Sequence, residues 1–244
     1  NIAPTAKALG LGQEFELPFV SQRYGTVPDS AWLKRKYDRD WNQADTLNAT
    51  IGQGYVLTSP FQLALMTARL ASGRKLMPNI IAAKRPLAPL LPYDPEFFKA
   101  PLEGMARVMQ PGGTGARSAL PIPGVAMGGK TGTAQVAGIR RDGRRSNARK
   151  FRDHGLFVCF APVEEPRYAA AVVIEHGMGG SRAAAPVAKD VLTFLYDREK
   201  AMAALEGFEA GWGGTPEERM ARELEAFRAA PVIPPAPDAG DETT

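Results

Sequence analysis

The chain has 244 residues, 44% hydrophobic and 23% charged, with a net charge of +4; this is ordinary globular composition, enough for a full core in one or two domains. No apolar run approaches the ~18 residues that span a bilayer, and the single Cys159 can form neither a disulfide nor a zinc site by itself. The charge is uneven: from Ala201 onward nine acids face three arginines, a net of −6, which leaves +10 on the body.

Residues 2–9 read as a short apolar helix that stops at Gly10-Leu11-Gly12. From there to about residue 50 the expected structure is irregular, with a turn at Val27-Pro28-Asp29 and with Trp32 and Trp41 as packing anchors. Ile51-Gly52-Gln53-Gly54-Tyr55 is a tight glycine loop, and Ser59-Pro60-Phe61-Gln62 is a capping box with proline at the first helical position. Leu63, Met66 and Leu70 then recur at helical spacing, which predicts a core stripe ending at Gly73. A second helical stretch follows Asp94-Pro95, breaks at Pro101, resumes with Leu102, Met105 and Met109 on one face, and ends in the glycine turn 110–115.

Three strands are expected next, at about 128–137, 155–161 and 168–175, the last two so apolar that both faces need cover. A helix over 183–196 covers one of them. Between the first two strands, 140–152 carries seven basic residues against Asp142. With no aromatic interleaving beyond Phe151, it reads as a solvated loop that can help attract an acidic polymer, not as a nucleic-acid surface. Cys159, inside Leu156-Phe157-Val158-Cys159-Phe160, reads as a buried structural thiol. In the tail, Thr215-Pro216-Glu217-Glu218 caps a helix over about 216–229 with Met220, Leu224 and Phe227 on one face. A Pro-rich acidic end follows and reads as disordered.

The chemistry concentrates in 124–138, where Lys130 is the one charge, flanked by glycines and by the hydroxyls of Thr131 and Thr133. Such a stretch suits a carboxylate or a phosphate. Gly124 followed by Gly129-Lys130-Thr131 spells a nucleotide-binding phosphate loop, while Lys130-Thr131-Gly132 matches the Lys-Thr-Gly element of serine acyl-transferases that react with penicillin. A phosphate loop must run from a strand into a helix. Gly132, Thr133, Val136 and Gly138 are poor helix formers, Thr-x-Thr-x-Gln-Val reads as strand, and Pro121 and Pro123 spoil the feeding strand. Two histidines are candidate general bases; His154 beside Asp153 leads into a strand, and His176 lies in a turn, so both read as structural.

Several markers occur in order: the Gly52–Tyr55 loop, the capped helix, the helix with Met105, the Gly113-Thr114-Gly115 turn, Lys130-Thr131-Gly132-Thr133-Ala134-Gln135, and Asp153-His154 before an apolar strand ending Phe160-Ala161-Pro162. This order closely resembles the C-terminal part of the transpeptidase domain of class B penicillin-binding proteins, nearest the elongation-type branch (penicillin-binding protein 2), over about residues 1–196. The resemblance implies an α+β fold: half of a penicillin-binding, serine β-lactamase-like transpeptidase fold, with three antiparallel strands packed with helices. It covers the first of two expected domains, 1–197; the second, 198–244, is an acidic tail outside the resemblance.

It further implies peptidoglycan D,D-transpeptidation: a serine attacks a D-Ala-D-Ala stem peptide, and a neighbouring amine resolves the acyl-enzyme. Lys130 would stabilise the terminal carboxylate, the Thr131 and Thr133 hydroxyls would bond it, the Thr133 N–H would serve the oxyanion hole, and Gly132 would keep the strand low for an added peptide strand. No cofactor or metal is implied. The partners implied are peptidoglycan stem peptides, β-lactams, an absent N-terminal half, a cell-wall glycosyltransferase and elongation-complex proteins, and no nucleic acid. The place implied is the periplasmic face of a bacterial inner membrane, with the anchor outside this chain.

One departure bears on activity. The family's Ser-x-x-Lys nucleophile and its Ser-x-Asn are not found where the pattern needs them. Ser72-Gly73-Arg74-Lys75 matches the first by letters, yet it falls at a helix C-terminus. The expectation is therefore a fragment that is inactive alone, with strand 168–175 left as an uncovered apolar edge.

Overall fold

The computed structural model describes residues 2–18, 22–81, 86–136 and 149–229, so the expected Pro-rich end and most of the basic run lie outside the described residues. The chain forms two units, Asn1–Asp197 and Arg198–Thr244.

In the first unit, β1 (Gly128–Ala134), β2 (His154–Ala161) and β3 (Tyr168–Ile174) form an antiparallel sheet in that order. Alternation along β2 sends Phe157, Cys159 and Ala161 to one face, all buried against α6 (Ala185–Tyr196). The helix contributes Ala185 and Ala188, small residues that let it approach closely, and the buried Leu192. Burial pushes the Cys159 thiol up to about 12, so it stays a neutral packing group. On the other face Leu156 and Val158 are half-buried, and β3 is half-buried along its whole length. The helix over 60–72 also packs against β2 and β3, while β3's outer edge has no strand partner among the described residues.

The helix α4 (Pro60–Ser72) starts on its capping box, with the Gln62 N–H donating to Ser59 Oγ at 3.3 Å and the Ser59 N–H to Gln62 Oε1 at 3.5 Å. It ends at Gly73 in the left-handed region, φ 66°. Its most buried residues are not the Leu63, Met66 and Leu70 stripe, which is half-buried, but Gln62, Leu65, Thr67 and Arg69. The cause is a set of backbone carbonyls that hydropathy cannot announce. Gln62 donates to the carbonyls of Gln13 (3.2 Å) and Tyr24 (2.9 Å), and Arg69 donates to those of Ala8 (2.8 Å) and Leu76 (3.0 Å). Arg69, fully buried with its guanidinium 5.7 Å from the Phe15 ring, thus ties α1 (Ile2–Ala8) and the 74–77 segment to α4. Replacing it by Met should leave these carbonyls without that donor and cost about 3 kcal/mol. A urea midpoint would register this, and an unchanged midpoint would mean the carbonyls find other partners.

The stretch expected to be irregular holds two short helices. In α2 (Ser30–Tyr37), Asp29 Oδ1 accepts from the Trp32 N–H at 2.7 Å; α3 (Gln43–Thr50) opens on a reciprocal Asn42–Asp45 box. Their cap residues were legible, but eight residues without an apolar stripe give no periodicity to read. Arg39 grips Asp45 through two bonds of 2.7 Å. That guanidinium, with the Asn42 N–H, holds the Asp45 carboxyl down at about 2. A carboxyl depressed by folding stabilises the fold once ionised, so this contribution is complete above about pH 4 and fades as pH falls toward 2. The gap in Tm between the native chain and Asp45→Asn should therefore narrow below pH 4, and a gap constant with pH would contradict the pairing.

Helix α5 (Glu96–Val108) runs straight through Pro101 instead of breaking there. The proline forfeits one hydrogen bond, but Met105 on α5 and Met109 just beyond it are buried, and that packing outweighs the loss. In the second unit, α7 (Arg198–Gly211) has no counterpart in the sequence expectations, whereas α8 (Pro216–Ala229) carries the expected Thr215–Glu218 box with bonds of 3.0 and 3.3 Å. Phe208 and Trp212 stack at 5.8 Å, and no residue of α7 is buried. No helix among the described residues is long and apolar enough to cross a membrane.

Candidate functional site

The first two residues of β1 must be glycine. A Cβ on Gly128 would lie 2.7 Å from the Phe160 ring, and one on Gly129 would enter the Phe157 ring. Those rings, packed from β2, fix the strand on opposite faces. Lys130 follows, paired with Val158 and exposed, its Nζ donating to the Thr131 carbonyl at 2.8 Å. Thr131 is half-buried with its hydroxyl 3.3 Å from that of Thr114, and Thr133 is exposed with its carbonyl accepting from Gln53 Nε2 at 3.3 Å. Thr131 and Thr133 lie on one face of the strand and Lys130 and Gly132 on the other.

The sheet ends at β1, so one side of this strand has no strand partner among the described residues. Side chains meet the carbonyls of Thr131 and Thr133 there, and within an antiparallel strand the N–H and C=O of one residue point to the same side. The N–H of Thr133 therefore also faces away from β2. Gly132 pairs with Leu156 in between, and Gly180 lies over that pair so closely that an added Cβ would run into the Leu156 carbonyl and come within 2.7 Å of the Gly132 oxygen. Gly132 itself is different. Among the described residues its own Cβ would meet only Leu156, at 3.4 Å and beyond, so no packing there requires a glycine.

The sequence had flagged Lys130, Thr131, Gly132 and Thr133, which fall consecutively on this edge. It assigned no site role to Thr114 or Gln53, although both sit between glycines, the pattern of a loop built for close approach. Backbone after Thr131 continues as strand to Ala134, with no helix to complete a phosphate loop. Ser72 is the last residue of α4; its hydroxyl donates to the Ala68 carbonyl at 2.7 Å and accepts from the Arg74 N–H at 3.2 Å. The histidines serve the backbone. His154 Nδ1 accepts from the His176 N–H at 2.9 Å, and His176 Nδ1 lies 3.0 Å from the Arg152 carbonyl, with His176 itself at φ 58°. Asp153 Oδ1 accepts from the Val136 N–H at 3.3 Å. Among the described residues no group of His, Cys, Asp and Glu has the makings of a metal site.

An exposed Lys-Thr-Gly-Thr strand at the rim of an antiparallel sheet, with helices packed on it, defines the class. A family model for the penicillin binding protein transpeptidase domain matches residues 2–193, and the chain belongs to that family. Within it, the chain is similar to proteins of the elongation type. It is 29% identical over 208 residues to the peptidoglycan D,D-transpeptidase MrdA of Haemophilus influenzae (79% of this chain, 32% of that protein). It is 34% identical over 211 residues to MrdA of Acinetobacter baumannii (80% and 31%). Among solved structures, penicillin-binding protein 2 from Helicobacter pylori in complex with MreC superimposes with a TM-score of 0.68 at 29% identity, covering 80% of this chain and 35% of that one. Penicillin-binding protein 2 of Pseudomonas aeruginosa in complex with WCK 5153 gives 0.63 at 33% identity, covering 78% and 42%. The chain thus spans about a third of the length of the curated relatives it matches.

Proposed function

We propose that this chain forms the carboxylate-binding wall of a peptidoglycan D,D-transpeptidase, the activity named for its MrdA relatives. In this reading Lys130 attracts the terminal carboxylate of a D-Ala-D-Ala stem, and the hydroxyls of Thr131 and Thr133 bond it. The Thr133 N–H donates to the oxyanion as the tetrahedral centre forms. The stem lies along β1 as an added strand, in the space that Gly132 leaves open. The observation that carries the reading is the free edge of β1, where Lys130 is exposed and the backbone of Thr131 and Thr133 faces away from β2.

The serine nucleophile and its lysine come from a segment outside this chain, and the chain alone is inactive. Unit 198–244 is a separate tail domain. The whole protein works at the periplasmic face of the inner membrane, held by an anchor elsewhere, beside a cell-wall glycosyltransferase and an elongation-complex protein such as the MreC seen with the Helicobacter relative. A fluorescent penicillin tests this. The chain alone should take no covalent label, and adding a segment bearing Ser-x-x-Lys and Ser-x-Asn should produce one on that segment. Labelling of the chain alone would overturn the assignment of the nucleophile, and no labelling of a mixture that forms a complex would overturn the function.

A further inference from the structure

Tyr55 stands two residues beyond Gln53, whose side chain reaches the Thr133 carbonyl, and it belongs to an aromatic cluster at the surface. The rings of Trp32 and Tyr37 lie 5.8 Å apart, Trp32 and Tyr55 5.4 Å, and Tyr37 and Tyr55 5.1 Å. Tyr37 is 46% exposed, and Trp32 and Tyr55 are half-buried. Lys36, itself exposed, holds its ammonium 5.1 Å from the Trp32 ring and 5.5 Å from the Tyr37 ring, and the Arg39 guanidinium is 6.0 Å from Tyr55. Three rings half open to water beside a cation are an amphipathic platform, and this one adjoins the candidate site through a single short loop.

We infer that the cluster of Trp32, Tyr37 and Tyr55 with Lys36 is an outer subsite for the sugar end of the substrate, the N-acetylated amino-sugar glycan from which the stem peptide hangs. This rests on the reading of Lys130 as the carboxylate anchor. A peptide that adds antiparallel to β1 with its C-terminus at Lys130 has its earlier residues passing Thr133 toward Val136. Four extended residues carry the chain about 13–14 Å beyond the scissile bond. The Tyr55 Cα is at most about 7 Å from that of Gln53, whose amide already touches the strand at Thr133. The length of the stem thus matches the reach from the Thr133 contact to the rings. A carbonyl has two lone pairs, so Thr133 can keep Gln53 and still accept a substrate amide.

The chemistry matches on both counts. A pyranose turns an apolar C–H face to an aromatic ring while its hydroxyl and acetamido groups reach the tyrosine hydroxyls at the rim. Free carboxylates on the stem meet the Lys36 ammonium held over the same rings.

Saturation-transfer NMR on the full chain, with a muramyl pentapeptide and with the same pentapeptide lacking sugar, tests this. The acetyl methyl of the sugar should draw saturation from the native chain. Tyr37→Ser should weaken that signal at least about fivefold while the terminal D-Ala methyls keep theirs, and Lys36→Glu, an exposed substitution that leaves the rings in place, should act in the same direction. A sugar left unsaturated while the D-Ala methyls are saturated would overturn the subsite and leave the carboxylate reading standing. So would a sugar signal indifferent to both variants. Unsaturated D-Ala methyls on the native chain would overturn the carboxylate reading itself, and the subsite with it.

Discussion

Replacing Lys130 by alanine should slow penicillin acylation about a hundredfold when the chain is combined with a segment bearing the serine, a loss of the size seen when one preorganised charge or donor is taken from a developing anion. The side chain is exposed, its ammonium bonds only the neighbouring Thr131 carbonyl among the described contacts, and it lies on a strand whose neighbours are already locked by Phe157 and Phe160. Nothing in the fold leans on it, so the variant should unfold at the same urea concentration as the native chain. Stopped-flow labelling with a fluorescent penicillin separates the two effects. An acylation rate within about threefold of the native value, too small for a lost anion-binding charge, would remove Lys130 from the mechanism.

Gly180→Ala should do the opposite, striking the fold and the strand together. Its Cβ would collide with the Leu156 carbonyl and crowd both the nitrogen and the oxygen of Gly132, at 2.9 and 2.7 Å. These are backbone atoms of a paired ladder and cannot turn aside as a flexible side chain can. Either β1 and β2 shift, or the turn 180–184 lifts and carries α6 off Phe157 and Cys159. We expect a loss of about 3 kcal/mol, read from the urea midpoint. Gly132→Ala is the informative contrast. Its Cβ has room, at 3.4 Å from Leu156, so stability should change by less than about 1 kcal/mol, whereas binding along the strand should suffer because the methyl occupies the space proposed for the peptide. If both variants unfold alike, Gly132 is a structural glycine after all.

The contrast between these glycines shows what the sequence made legible. Lys130 to Thr133 was readable as a strand because Gly, Thr and Val around it exclude a helix, and a strand then fixes which side chains share a face. The capped helix α4 and the tail helix α8 were readable from Ser59–Gln62 and Thr215–Glu218, since a cap is a local bond between residues three apart. The buried side of α4 was not. Gln62 and Arg69 go inside because the carbonyls of Ala8, Gln13, Tyr24 and Leu76 wait there, and those partners lie far along the chain or in irregular backbone. The same limit hid Gln53, 80 positions from its acceptor on Thr133. Pro101 departs from its local rule for a related reason: proline favours a break, and the burial of Met105 and Met109 overrides it.

The central claim is that residues 130–133 form an open edge that receives a peptide carboxylate. The most direct test is an amide NMR titration of the isotope-labelled chain with an N-acylated D-Ala-D-Ala peptide. The account predicts shifts that begin at Lys130, Thr131, Gly132 and Thr133 and extend to the Gln53 side-chain amide. Resonances of this strand that stay still while the peptide binds elsewhere, or that respond only to a nucleotide, would contradict it.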